Sequence, residues 1–501
     1  MITRKQITFL TCAFACLNTL GQVTYQKRLT TPPFYSSCNA ILATSDSGHI
    51  ICMSDGIVKF TSSGDTSWWR TFGASGIQNS IGMFAIETPD SNYLGVCTVS
   101  SNLWNSPSDI LLVRLNRNGD TLSTRTFGGQ GDDVPTCIRQ LTNGSFVIMG
   151  HTTSYGDSSD IYLVNVDTAG TVLWSKTYGC NLTLVANSMR LTDDRGYIIG
   201  GYVGSAFADR DAFLLKLDSS GAVSWCNRYG GTSWDEGGDV VQTADGGYLL
   251  CGQSSSTANT YTCAYLVKTN SGGDTLWTKG IGGYPYLTKA YAMVNTGEKF
   301  TIAGAQRLAG PYNDIPLEFQ IDSTGQLLWA QAHSGVASYS ICKDLAGGFS
   351  IAGYGGFYAR LDSIGNSGCS APVTLNPAYP LTSVSTINID TSSGYSYIPT
   401  VVYSGRGGVV TSICSSTGIA ETIEDEPEKI YPNPTQGTFS VQAGSAFREG
   451  RIEIFDSLGE LIRSIPFHSA EELTISLGRK GLFLVRLITE ERILTRKLII
   501  E

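Results

Sequence analysis

The residues best suited to chemistry in this 501-residue chain are two groups of carboxylates: Asp132-Asp133, and Asp235-Glu236 with Asp239. Each follows a Gly-Gly pair, Gly128-Gly129 or Gly230-Gly231. Hard oxygen ligands grouped this way suit Ca²⁺, and paired carboxylates suit acid–base work on a glycosidic bond. Their matching positions equally suit a structural duty, the capping of a turn. The three readings stay open, and calcium is the one cofactor they imply. Histidine is scarce: His49, His151, His333 and His468. A Ser-His-Asp triad or a multi-histidine metal site would have to draw on His151 and His333, which stand far apart in the chain. Trp104 and Trp234 sit in loop-like segments, as do Tyr284-Pro285-Tyr286 and Pro311-Tyr312-Asn313-Asp314. Loop aromatics of this kind either stack on sugar rings or cap a sheet.

What must position these residues is a repeat. Its first half is a turn and an apolar run: Asp194-Arg195-Gly196-Tyr197-Ile198-Ile199-Gly200, then Asp245-Gly246-Gly247-Tyr248-Leu249-Leu250. Further copies start near Asn143, Gly297 and Gly347, and weaker ones near Asp46 and Asp90, which makes seven. In the weak copy after Asp46, His49 takes the aromatic slot, a packing position. The second half is strand, tight turn, strand, as in Phe213-Leu214-Leu215-Lys216-Leu217-Asp218-Ser219-Ser220-Gly221. Its glycine recurs at Gly64, Gly119, Gly170, Gly221, Gly273, Gly325 and Gly365, and four of the intervals are 51 or 52 residues. Asp or Asn ahead of Gly between apolar runs is a hairpin signal. A tryptophan follows that glycine by four residues at Trp68, Trp174, Trp225, Trp277 and Trp329, with Ser123 in the second unit.

Four short strands cannot bury both faces alone, but neighbours stacked face to face can, with the tryptophan filling the wedge. The expected fold is therefore all-β: a seven-bladed β-propeller over 22–365. An open solenoid is the structural rival. The seventh unit runs out at Gly365, with Cys369 in the tryptophan slot. Val23-Thr24-Tyr25-Gln26-Lys27-Arg28-Leu29 resembles the missing fourth strand, with Tyr25 in the Trp position. Closure by this N-terminal strand would remove open sheet edges. Residues 366–424 are rich in Ser, Thr, Pro and Gly. They predict a β annex with strands at 384–389, 395–403 and 408–414, ending in an acidic linker, Glu421 to Glu428. Residues 425–501 form a last unit whose alternating apolar runs predict a β-sandwich.

Composition narrows the partners. Charged residues are 15% of the chain and the formal net charge is −9. No basic stripe suits a nucleic-acid backbone, and nothing points to a lipid surface. Residues 1–21 read as a secretory signal, with Arg4-Lys5, an apolar run from Ile7 to Leu17, and cleavage after Gly21. Neither Cys12 nor Cys16 has the Leu-small-small run of a lipid anchor before it. The apolar run is too short to span a bilayer, and no later segment of the mature chain predicts a transmembrane span. Of 13 cysteines, two lie in this signal. Most of the others sit in apolar runs and read as small buried filler. Cys369 and Cys414, which bracket the annex, are the candidate disulfide; a Cys251–Cys263 bond is a poorer fit.

Two resemblances add to this. The segment from Tyr431-Pro432-Asn433-Pro434 and Gly437, through Gly459 and Gly481, to Lys497 near the end is similar to the type A C-terminal sorting domain of proteins exported by the type IX secretion system of Bacteroidota. It covers about 429–501. It implies a signal-dependent step into the periplasm, contact between this tail and the secretion machinery, and release or attachment at the cell surface. Leu482-Phe483-Leu484 departs mildly from that family's Ile-Tyr-Phe. The Leu-Asp-x-x-Gly-x-x-x-Trp units resemble the tryptophan-docking repeats of quinone-dependent dehydrogenases. Those enzymes generally have eight blades and often an adjacent Cys-Cys pair, which this chain lacks, so the likeness concerns packing. The closer likeness is to repeat propellers of exported Bacteroidota proteins. The function expected is a secreted or surface module that binds a glycan or a protein. A polysaccharide hydrolase or lyase using the loop carboxylates, or a structural surface or biofilm component, are the alternatives.

Overall fold

The structure, a computed structural model, describes residues 24–30, 37–54, 56–73, 81–100, 107–155, 159–204, 210–257, 261–283, 285–307, 314–345, 347–368, 370–378, 382–387, 390–392, 396–397, 403–405, 409–415, 429–431, 435–442, 449–456, 461–468, 472–489 and 493–500. Among these, every regular element is a strand except one short 3₁₀ turn at Tyr354–Gly356. The chain divides into two compact units, Met1–Ala420 and Glu421–Glu501. Residues 1–21, read above as a secretory signal, the acidic linker, Trp104, Tyr284, Pro311 to Asn313, Cys369, Pro432 to Pro434 and Gly459 lie outside the described residues. So does the side chain of Cys414, and with it the candidate disulfide.

The first unit holds seven antiparallel sheets of five strands. One repeat supplies four of them; in the fourth sheet these are Thr183–Leu191, Tyr197–Gly204, Arg210–Leu217 and Val223–Gly230. The first strand of each sheet (Cys38–Ala43, Ile81–Glu87, Asp133–Gln140, Thr183–Leu191, Asp235–Gln242, Leu287–Asn295, Ser338–Lys343) packs against its counterpart in the next. The last of these packs against the first, so the sheets form a closed cycle. The seventh sheet takes its fourth strand from the other end of the unit. Tyr25–Thr30 pairs with Phe357–Leu361, Tyr25 opposite Arg360 and Arg28 opposite Phe357.

The fifth strands all come from 371–415, and here the structure differs from a three-stranded annex packed on the sheets. Ala371–Pro372, Pro377–Ala378, Ser383–Thr386, Asp390–Ser392, Ser396–Tyr397, Tyr403–Gly405 and Val409–Ser415 join the sixth, fifth, fourth, third, second, first and seventh sheets in that order. The segment is a belt that runs backwards round the cycle. Strands this short cannot make a sheet of their own; each instead satisfies the outer edge of a sheet that would otherwise present bare amides and carbonyls. Val409–Ser415 lies along Tyr25–Thr30, so the N-terminal strand is paired on both sides.

The sheets lock together through the repeat residues. All seven hairpin glycines have φ between +76° and +85°, where an L side chain is strained. A Cβ on Gly119 would also meet the Trp68 ring at 2.6 Å, one on Gly273 the Trp225 ring at 2.8 Å, and one on Gly325 the Trp277 ring at 2.8 Å. Gly365 is covered by Trp329 in the same way, and Trp174 and Tyr178 lie against Gly221. Each aromatic therefore reaches from one sheet onto the turn of the next. Tyr25 does this across the closure, where its ring covers Gly64. In the first half of the repeat a second device recurs. Lys59, Lys216 and Lys268 are buried, and each holds a turn carboxylate, Asp46, Asp194 or Asp245, at 2.8 Å. Each lysine also donates to the backbone carbonyl one residue on, which satisfies a cation that would be costly to bury alone.

The second unit has a three-stranded sheet (Lys429–Tyr431, Thr438–Gln442, Glu472–Ser476) and a four-stranded one in the order Leu461–His468, Glu449–Asp456, Gly481–Thr489, Ile493–Ile500. Phe439, Val441 and Ile475 of the first share one buried cluster with Ile452, Ile454, Phe483, Val485, Leu498 and Ile500 of the second. Thr435, next to the Pro-Asn-Pro run, donates its amide to Ile499 and so ties the start of this unit to its last strand.

Candidate ligand-binding channel

The seven first strands share an irregularity that creates a site. Each carries a register shift at the same place: Cys38/Ala40, Gly82/Phe84, Pro135/Cys137, Ala186/Ser188, Gly237/Asp239, Ala290/Ala292 and Ser338/Ser340. A β-bulge leaves one residue unpaired and re-aims its side chain. The residues skipped are Asn39, Met83, Thr136, Asn187, Gly238, Tyr291 and Tyr339. Six of them line a cavity of about 640 Å³ between the first strands; the Met83 side chain lies outside the described residues. That volume suits a small ligand of a few sugar units. The repeat thus brings side chains from five of the seven sheets into a shared space, and here they are two amides, a hydroxyl and two phenols.

Three of the residues that follow a bulge, Ser188, Asp239 and Ser340, brace the walls. The Val240 amide donates to Ser188 Oγ at 3.1 Å, the Met293 amide to Asp239 Oδ2 at 3.0 Å, and the Ile41 amide to Ser340 Oγ at 3.1 Å, the last across the closure of the cycle. Asp239 is buried and also takes the Arg190 guanidinium at 2.6 Å. Its contacts are those of a strut between the fourth, fifth and sixth sheets. Glu236 lines the channel too, where it accepts from Arg210 at 2.6 Å and from Gln253. Arg210 in turn lies between two rings, 4.6 Å from Tyr202 and 4.8 Å from Trp234. Trp234 keeps 44% of its surface exposed, so one face packs on the cation and the rest meets solvent.

Asp133 and Asp235 lie outside the channel lining. Both are fully buried, and both do the same work. Asp133 Oδ2 accepts from the Gly129 amide and Ser154 Oγ; Asp235 Oδ2 accepts from the Gly231 amide and Ser256 Oγ. Burial pushes both carboxyls above their ordinary range, against these hydrogen bonds. Burial, and then the charge of Asp133, raise neighbouring Asp109 to about 6. Asp132 is exposed and accepts from the Ser108 amide. Among the described residues no group of three or more His, Cys, Asp and Glu side chains could hold a metal ion.

Two of the histidines, His49 and His333, serve closure. His49 Nε2 lies 2.8 Å from Asp344, which also holds Arg360 at 3.0 Å and the Ser350 hydroxyl, a buried cluster joining the first and seventh sheets. Burial alone would raise the Asp344 carboxyl, but its contacts with His49 and Arg360 outweigh this and hold it below the ordinary range. His333 sits 2.9 Å from Glu318, with Ser367 Oγ at 3.3 Å and the Gln26 amide at 3.2 Å from its Nδ1. The Ser-His-Glu outline is that of a hydrolytic triad, yet all three are inaccessible to solvent and Gln26 fills the remaining space. The cluster pins the N-terminal strand. His151 meets Thr136 at 3.4 Å, and burial lowers its pKa to about 4. Cys251 and Cys263 are free thiols, not bonded to each other.

A cyclic assembly of repeat sheets with a separate C-terminal β unit is the layout of an exported module with its own sorting tail. Residues 429–501 match the family model of the secretion system C-terminal sorting domain. The chain carries a type IX export tail and is sent to the cell surface or released. No curated protein matches it. Among solved structures it is similar to a Bacteroides caccae protein of unknown function (15% identity, 51% of this chain and 93% of that one, TM-score 0.34). It is also similar to the Neurospora crassa Pan2 WD40 domain (11%, 68% and 95%, TM-score 0.45) and to the Pseudomonas aeruginosa periplasmic gluconolactonase PpgL (13%, 75% and 100%, TM-score 0.41). No helix described is long and apolar enough to cross a membrane.

Proposed function

We propose that this protein is a secreted or cell-surface seven-bladed β-propeller, closed by Tyr25–Thr30 and followed by a β-sandwich sorting tail. In this reading its central channel binds a glycan or a protein surface without catalysis. One observation carries it: all seven first strands bulge at the same place, and five of the bulges, at Asn39, Thr136, Asn187, Tyr291 and Tyr339, bring a polar side chain to one cavity. A structural bulge needs no such variety, whereas a binding site draws its specificity from it. The hydrolase or lyase alternative needs two carboxylates free to exchange protons. Glu236 and Asp239 do reach the channel, but each is held by an arginine at 2.6 Å.

The test is a glycan array probed with the full chain, with product analysis on each hit. Binding should fall by about tenfold or more in Tyr291→Ala and Asn187→Ala, a loss of about 1.4 kcal/mol or more, with no product released. Product that disappears in Glu236→Gln would establish the hydrolase instead. An array without hits, and no protein captured at the channel, would leave the structural-component reading.

A further inference from the structure

If the channel binds a ligand, as proposed, its charge pattern narrows the class of that ligand. The chain as a whole carries a formal net charge of −9. The cavity lining reverses this: Arg139, Arg190, Arg210 and Lys343 stand against only Glu236 and Asp239. Arg190 and Arg210 are paired with those two carboxylates. Arg139 and Lys343 have no carboxylate partner among the described residues.

Arg139 is the more telling of the two. Its guanidinium lies 4.5 Å over the Phe84 ring and donates from Nη1 to its neighbour, the Ile138 carbonyl, at 2.9 Å. Among the described residues, most of its five N–H groups have no protein acceptor. Its side chain is half-buried, and Arg190 occupies the equivalent place in the next sheet, three residues after the bulge in each case. Burial, with the charge of Arg190 beside it, pushes the Arg139 pKa down. A guanidinium stays charged in protein all the same. A half-buried cation that lies over an aromatic ring, beside a second cation and in the lining of a cavity, is set up for a planar anion. Phe84, Arg139, Arg190 and Asp239 form an arc across the second to fifth sheets. The facing side chains are Asn39, Tyr291 and Tyr339, whose amide and ring faces suit sugar hydroxyls and a sugar ring rather than bulk salt.

We propose that the channel binds an acidic saccharide, with the carboxylate of a uronic acid residue seated on the Arg139 guanidinium and flanked by Arg190. Lys343, exposed at the channel, adds attraction at longer range.

The experiment is titration calorimetry of the full chain with tri-galacturonate, the neutral trisaccharide of galactose, inorganic phosphate and a triglutamate peptide. Tri-galacturonate should bind, and the neutral trisaccharide should bind about tenfold more weakly or not at all. Arg139→Gln should weaken tri-galacturonate about tenfold or more while leaving the neutral sugar unchanged. Lys343→Gln, an exposed change that should not touch folding, should weaken it mildly and reduce its salt dependence. Unaltered melting temperatures would show that both variants fold. Equal binding of acidic and neutral sugars, or full affinity in Arg139→Gln, overturns the proposal. Phosphate or triglutamate binding as tightly as the acidic sugar overturns the saccharide assignment. If neutral glycans bind on the array while acidic ones do not, the general binding role survives and the acidic-saccharide assignment fails alone.

Discussion

At the scale of single residues the repeat divides its carboxylates into two classes, and pH should separate them. Burial opposes ionisation of Asp194 and Asp245, but Lys216 or Lys268 and the turn threonine outweigh it and hold both at about 2. Hydrogen bonds from Thr88, and then from Asn92 and Arg114, hold Asp90 at about 2 as well. These groups stabilise the fold above their unfolded pKa of 3.8, and that contribution is lost as pH falls towards 2. Asp109 has the opposite sign. Its folded pKa of about 6 exceeds 3.8, so between those values the folded chain holds a proton that the unfolded chain does not. Its ionisation therefore costs stability as pH rises through about 6. Thermal unfolding measured across pH should show a melting temperature that rises as pH falls from about 7, peaks near about 4 and then drops. Asp109→Asn should reduce the upper slope, leaving the part that the raised Asp133 and Asp235 contribute, and add a few degrees at about pH 7. A flat profile above about pH 5 in the parent chain would contradict this pairing of Asp109 with Asp133.

At the scale of elements the outer belt has the larger consequence. Each of its strands satisfies a sheet edge, and the last also covers the N-terminal strand. Truncation after Gly368 should leave seven outer edges bare, so the product should associate or precipitate in sedimentation and light scattering. Truncation after Ala420 keeps the belt and should stay monomeric with an unchanged melting temperature. If both products behaved alike, the belt would contribute nothing to edge protection. This element also marks where the sequence stops being informative. The hairpins were legible because Asp, Gly and Trp recur at fixed spacing, and each has a local physical reason to be there. The belt strands are two to seven residues long and broken by Pro and Gly. Local pattern marks strands at 384–389, 395–403 and 408–414, but the sheet that each belt strand joins is set by a partner distant in the chain, which no local pattern encodes. The channel was hidden for a similar reason. A bulge is visible only in the register between two strands, so Thr136, Asn187, Tyr291 and Tyr339 looked like ordinary strand positions. Asp132 and Asp235 drew notice in their place because adjacent acids stand out in a sequence. Glu236 and Asp239 do reach the channel, one on either side of the bulge, but already bound to arginines.

At the scale of the whole molecule the chain separates its address from its working part. The belt ends at Ser415, still paired with Tyr25, and the second compact unit begins at Glu421. The sorting unit has a buried core of its own, and its last strand, Ile493–Ile500, is held by Gly481–Thr489 along its length and by Thr435 at its end. Removal of 429–501 should therefore leave the cycle of sheets folded and yet abolish export. In a host with a type IX system, fractionation should find the truncated protein in the periplasm, protease-resistant and with the melting temperature of the parent. Full-length protein should appear at the surface or in the medium. A cut within 409–415 should behave differently, because it strips a strand from the seventh sheet and exposes Tyr25–Thr30. Surface display of the 429–501 deletion would refute the role of the tail. Loss of its folded core in the periplasm would show instead that the two units depend on each other, against the separation of their cores.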